Sequence, residues 1–161
     1  MTRNAALRRH LADALAWRSA HATFDDAVDG LPAALRGQRP DGLPHSPWEL
    51  VEHLRRAQRD ILDFCLDPDY ETPEWPAAYW PPAPAPPDAA AWDAALGAFR
   101  DDLAAMQRLV LDPATDLFAP IPHGDGQTIL REALLLADHN AYHVGQLVAV
   151  RQALGCWKGV L

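Results

Sequence analysis

Fifteen prolines punctuate this 161-residue chain, and eight of them fall within residues 67–87. A proline inside a helix removes a backbone hydrogen bond and clashes with the preceding turn, so long helices are confined to the stretches between prolines. Four such stretches carry apolar residues at three- and four-residue spacings, the period of an amphipathic helix. Residues 3–28 place Leu7, Leu11, Ala14, Leu15 and then Trp17 or Arg18 on one face before Asp29-Gly30-Leu31-Pro32 ends the pattern. Residues 46–66 open on Ser46-Pro47-Trp48-Glu49, with a capping serine, a proline at the first helical position and a carboxylate where a capping box needs one. Their apolar arc is Leu50, Leu54, Ala57, Ile61 and Phe64.

A third helix is expected over residues 88–111, burying Trp92, Leu96, Phe99, Leu103 and Met106. The last runs from about Thr128 to Leu154, where Gly155 supplies the stop. No segment alternates with period two. The pattern predicts an all-α fold: a four-helix bundle with a long Pro-rich crossover between the second and third helices. Tyr70, Trp75, Tyr79 and Trp80 lie among the crossover prolines, so the segment is expected to pack over the bundle rather than to link two domains. Residues 1–161 are read as one domain, which suits the length.

A hydrophobic fraction of 49% with 22% charged residues is globular composition. The net charge of −8 disfavours nucleic acid and anionic membrane as partners. Two cysteines cannot form a disulfide scaffold, the N-terminal residues contain no apolar signal core, and the longest strongly apolar run is far short of a membrane span. A cytoplasmic location is expected.

The last helix carries the chemistry. His139 and His143 lie about 40° apart on one face, and Glu132 and Gln146 fall within about 20° of His139. Leu135, Leu136 and Val150 share that side, so polar groups stand where the helix turns toward the bundle, and they need partners. Histidines at i and i+4 can both reach one metal ion. The alternative is one satisfied buried histidine and one boundary histidine, and spacing alone leaves it open. A third ligand would have to come from another helix. His53 sits at the edge of the second helix's apolar arc, with Asp60 about 20° around the helix. From spacing alone, a surface histidine beside Glu49 or Glu52 is the more ordinary reading.

Trp48-Glu49-Leu50-Val51-Glu52-His53-Leu54 resembles the second-helix motif of the DinB-like (damage-inducible, YfiT-type) metalloprotein superfamily. Gly126-Gln127-Thr128-Ile129-Leu130-Arg131-Glu132 and Asp138-His139-Asn140-Ala141-Tyr142-His143-Val144-Gly145-Gln146 resemble its last-helix motif. The tail from Arg151 to Trp157, Tyr79-Trp80-Pro81 and Ala91-Trp92 are similar as well. The resemblance implies a homodimeric four-helix bundle with a divalent ion held by a histidine triad, and those ligands fall on His53, His139 and His143. Branches of the superfamily include thiol S-transferases using bacillithiol, mycothiol or glutathione. The resemblance therefore implies either a metal-dependent thiol transferase (or related hydrolase) acting on small electrophiles, or a non-catalytic metal-binding dimer.

Three imidazoles leave an open coordination position, and zinc or nickel suits them. Glu132, Gln146 and Asp60 are candidate partners for the outer nitrogens of the ligands. An arginine would be wanted for a thiol's carboxylate, with Arg55, Arg56, Arg131 and Arg151 as candidates. His123, in the loop before the last helix, is read as a pocket-mouth or solvated residue. His10, His21 and His45 have no supporting context. Cys65 is read as packing, Cys156 as incidental, and the crossover tryptophans as a possible roof. Leu134, Ala137, Ala141, Val144 and Val148 lie opposite His139. That stripe must be covered either by the chain itself or by a second copy at a two-fold axis.

Overall fold

The computed structural model describes residues 2–16 and 20–159. Among them are five α-helices, α1 (Arg3–Leu15), α2 (Phe24–Val28), α3 (Pro47–Leu66), α4 (Ala89–Leu111) and α5 (Ile129–Ala153), with no β-strand. The fold is all-α, and no described helix is long and apolar enough to cross a membrane.

The starts of the long helices follow from their caps. The Ser46 hydroxyl oxygen accepts the Glu49 amide and the Glu49 carboxylate accepts the Ser46 amide, closing the capping box of α3. Asp88 caps α4 at the Ala91 amide, 2.7 Å away, and Thr128 caps α5 at the Arg131 amide. At the far end of α5, Gly155 adopts φ +68°, while the amides of Gly155 and Cys156 bond to Gln152 and Arg151. That is the paired 5→2 and 6→1 pattern of a Schellman stop.

The single helix expected over residues 3–28 is instead two. α1 ends at Leu15, and α2 begins afresh behind Thr23, whose backbone is extended. Thr23 accepts the Asp26 amide and Asp26 accepts the Thr23 amide, so the local hydrogen bonding of a helix start wins over continued periodicity. The expectation for Trp17 or Arg18 lies outside the described residues.

α3 packs against α4 and α5, α1 packs against the same two helices, and α2 lies on α5. Residues 67–87 connect α3 to α4 and contain one short 3₁₀ turn, Ala77–Tyr79, which packs on α3. Two apolar cores lie along the long helices. One gathers Trp48, Leu50, Leu54, Trp92, Phe99 and Leu147; the other gathers Leu11, Leu62, Met106, Val110 and Leu136.

Between those registers sits a buried polar pair. Gln58, fully buried, donates to the Phe99 carbonyl at 2.6 Å and accepts from Asn140 Nδ2 at 3.0 Å. It therefore ties α3 to both α4 and α5.

Among the described residues, Arg8 and Arg151 are buried with no carboxylate partner. Arg8 donates to the carbonyls of Val110, Asp112 and Thr115, and Arg151 to those of Ala27 and Cys156. Each guanidinium thus sits at helix C-terminal carbonyls, where unpaired acceptors and the helix dipole favour a cation.

The α5 stripe opposite the histidines is largely covered by the chain itself. Val144 and Val148 are buried, Ala137 and Ala141 are half-buried, and Leu134 is exposed. Ala137, Ala141 and Val144 line a cavity of about 330 Å³ together with Leu15, Phe24 and Phe99.

Replacing Gln58 by leucine leaves Asn140 unpaired in the interior and is expected to cost about 1–3 kcal/mol in urea unfolding. The double variant Gln58→Leu/Asn140→Leu removes both partners and should recover part of that loss. Equal or greater destabilisation of the double variant would show that the pair does not act as a unit.

Candidate metal centre

α3 and α5 bring His53, His139 and His143 together, with the ligand atoms of all three within 4.8 Å of one another. His53 Nε2 stands 3.1 Å from His143 Nε2 and 3.2 Å from His139 Nε2. Two nitrogens bound to one ion at about 2.05 Å are roughly 3.3 Å apart at a tetrahedral angle and roughly 2.9 Å apart at a right angle. The observed spacings fall between those limits.

The outer nitrogens of His53 and His143 indicate their tautomers. His53 Nδ1 lies 3.1 Å from the carbonyl of Tyr79, which can only accept, so the proton is on Nδ1 and Nε2 presents its lone pair. His143 Nδ1 donates to Gln146 Oε1 at 2.7 Å, and Gln146 in turn donates to the Tyr142 hydroxyl. His139 Nδ1 is 3.5 Å from Asn140 Oδ1, long for a hydrogen bond. Lone pairs converging on one point repel each other unless a cation or proton lies between them. The donor set therefore fits a divalent metal ion.

Burial keeps these imidazoles neutral. Desolvation, with smaller contributions from neighbouring histidines, pushes His53 and His143 down to about 4. His139 is also lowered, again chiefly by burial.

The crossover forms one wall. The Trp80 ring stacks on His53 at 4.0 Å between centroids and 4° between planes. His45 stacks on Trp80 at 4.1 Å, giving a His45–Trp80–His53 sandwich. Trp75 is instead 70% exposed and packs on Tyr79, so only one of the crossover tryptophans covers a histidine. His45 was invisible as a site residue because it precedes the α3 cap by one position and reaches His53 only through Trp80.

Other candidates lie elsewhere. Of the three proposed outer-nitrogen partners, Gln146 alone touches a triad imidazole. Asp60 accepts from the hydroxyls of Tyr70 and Tyr79, both at 2.7 Å. Buried Glu132 pairs with Arg131 at 2.7 Å. It shares the histidine stripe but stands seven residues from His139, roughly 10 Å along the axis.

Arg55 and Arg56 both engage buried Glu52, while Arg151 is committed to backbone carbonyls. All four arginines considered for a thiol carboxylate are thus already partnered. His123 is exposed and bonds to the Phe64 carbonyl. Burial and then Glu132 push the Cys65 thiol up to about 12, which removes it as a nucleophile near neutral pH.

An all-α protein in which two helices converge three imidazoles, with the outer nitrogens of two tied to neutral acceptors, belongs to the class of histidine-site helical proteins. The DinB superfamily signature matches residues 16–147, and the chain belongs to that superfamily. No curated protein and no solved structure matches it.

The pH dependence of the metal-free protein follows from the lowered values. His53 and His143 are neutral in the folded state, whereas the unfolded chain takes up their protons near pH 6.5. The stability they contribute is present above about pH 6.5 and is lost as pH falls toward about 4. Chelator-treated protein should lose melting temperature steadily across that window, and His143→Gln should flatten the slope. An unchanged slope in the variant would remove His143 from the groups responsible.

Proposed function

We propose that His53, His139 and His143 hold one divalent ion, zinc or nickel, in a four-helix bundle with a crossover wall, and that the protein transfers a low-molecular-weight thiol to a small electrophile. The observation supporting the metal reading most directly is the convergence of the three Nε2 atoms, with Nδ1 of His53 and His143 hydrogen-bonded outward. Superfamily membership supports it independently. When bound, such an ion acts as a Lewis acid that lowers the pKa of a thiol beside it and makes thiolate available near neutral pH.

The chain's own residues orient the site and shield it. The Tyr79 carbonyl and Gln146 fix the rings of His53 and His143. Trp80 covers one face of His53 and keeps water from it. In the transfer, the thiol proton passes to solvent and a sulfur lone pair forms the new bond to carbon. The leaving group departs with the electrons of the broken bond.

A specific observation favours the non-catalytic alternative. The four arginines considered for a thiol's carboxylate are already engaged by Glu52, Glu132 or backbone carbonyls. A thiol lacking a carboxylate, or a metal-holding protein without turnover, does not need one.

Elemental analysis of purified protein should give about one divalent ion per chain, with large losses in His53→Ala, His139→Ala and His143→Ala. Stoichiometric metal in any variant removes that residue from the ligand set. Bacillithiol, mycothiol and glutathione, each tested with a haloaromatic electrophile, separate transferase from metal-holding protein. Turnover abolished by chelation and restored by the ion supports the first; a loaded protein with no turnover supports the second. Occupancy, corrected for chelator protonation, should persist below pH 6.5 and fall toward pH 4, because burial has already lowered the competing proton affinity of His53 and His143.

We also propose a two-fold dimer. Exposed Leu135 and Tyr142, seven residues apart on α5, give it an apolar outer surface beside the histidines. Light scattering that finds only monomer at micromolar concentration removes this part of the reading.

A further inference from the structure

α3 grips the crossover at three successive levels. His53, Arg56 and Asp60 follow one another at spacings of three and four, which places them on one side of the helix. Arg56, held by buried Glu52, donates to the Ala78 carbonyl at 3.1 Å. Asp60 receives the Tyr79 hydroxyl at 2.7 Å, and the backbone carbonyl of the same tyrosine receives His53 Nδ1–H. The next residue, Trp80, lays its ring on His53. Tyr79 is therefore fixed at both ends, its phenol by Asp60 and its carbonyl against His53. A second phenol, from Tyr70, shares the Asp60 carboxylate and closes the crossover from its other side.

We propose that Asp60 is a positioning residue for the histidine site, acting through Tyr79 to set the orientation of His53. This rests on the metal reading above. The acceptor on His53 is a loop carbonyl, and a loop carbonyl holds its place only as well as the loop does. Without the Asp60–Tyr79 bond, the turn Ala77–Tyr79 keeps its Arg56 contact but loses the anchor on the very residue that orients the imidazole. His53 is then free to rotate about its side-chain bonds, and its Nε2 no longer points with fixed direction at His139 and His143.

The test uses full-length protein loaded with cobalt(II), whose visible d–d bands report ligand geometry. Affinity is read by competition with a chelator, and folding by circular dichroism of the metal-free form. Tyr79→Phe keeps the ring and removes only the hydroxyl; Asp60→Leu removes the acceptor. Each is expected to weaken cobalt binding about tenfold and to alter the band positions or intensities, in line with the 10–100-fold effect of partners behind a ligand. Asp60→Asn can accept from one phenol and donate to the other's oxygen, and should bind within about threefold of the parent. Tyr70→Phe leaves the Tyr79 bond intact and should also stay close to the parent.

Cobalt binding and spectra unchanged in both Tyr79→Phe and Asp60→Leu overturn the positioning role while leaving the metal reading intact. Absence of binding in the parent protein overturns the metal reading itself and this inference with it. If Asp60→Leu does not fold, Tyr79→Phe decides the matter alone.

Discussion

The histidine arrangement depends on the register between α3 and α5, because His53 comes from one helix and His139 and His143 from the other. An axial slip of one residue, about 1.5 Å, would separate the Nε2 atoms by more than a shared ion tolerates. Apolar packing resists such a slip weakly, since leucines on neighbouring helices can re-seat at similar cost. The buried Gln58–Asn140 pair resists it strongly. Gln58 satisfies its amide only when Asn140 on α5 and the Phe99 carbonyl on α4 are both at the right height. Asn140 is also the residue next to His139, so the hydrogen bond that sets the helix register is adjacent to a site imidazole. A polar layer that reduces the apolar area of the core thereby defines the geometry of the site.

The same logic applies in part to the two buried arginines, whose terminal nitrogens are hydrogen-bonded while the Nε of each has no partner. A charge in the interior without a counter-ion is ordinarily prohibitive. Arg8 and Arg151 avoid the penalty by spreading several donors over backbone carbonyls at chain segments that follow or end helices. Arg8 links α1 to the end of α4, and Arg151 links α5 to the end of α2. In each case one side chain fixes how a short helix meets a long one. Removal would leave several acceptors unpaired at once, which makes these positions more consequential than a typical surface arginine.

Much of this was legible in the sequence where local chemistry decides the outcome. The starts of α3, α4 and α5 fall where Ser46, Asp88 and Thr128 offer a side-chain oxygen to a free amide, and α5 stops at Gly155. The convergence of His53 with His139 and His143 needed the superfamily resemblance, because helical spacing relates residues only within one helix. The break between α1 and α2 is not marked by any proline or glycine between residues 16 and 23, while the Thr23–Asp26 capping box starts a new helix. Gln58, Asn140 and His45 gave no sequence signal, since their partners lie on other elements. Asp60 was singled out as a direct partner of a ligand, and its carboxylate instead meets two phenols. Angular position around a helix could place it near His53 but could not reveal the loop in between.

That intervening loop has a chemical consequence for the proposed site. The outer nitrogens of His53 and His143 face a peptide carbonyl and a side-chain amide, both neutral acceptors. A carboxylate in direct contact would draw the Nδ1 proton toward itself and make the imidazole a stronger donor, which lowers the ion's remaining pull on a fourth ligand. Here the nearby carboxylate is held one phenol away, at the Tyr79 hydroxyl, where it acts on position rather than on basicity. Burial and Asp60 both raise the Tyr79 hydroxyl above its ordinary range, so it remains the donor in that bond. If His53, His139 and His143 hold a divalent ion as proposed, neutral imidazoles with neutral partners would leave most of its charge available to a further bound group. On the proposed reading, a thiol bound beside that ion would meet an environment that favours loss of its proton, even though the chain as a whole carries a formal charge of −8. Residues 67–87 therefore link two requirements that compete in many sites: they fix His53 through the Tyr79 carbonyl while supplying no negative charge to its imidazole.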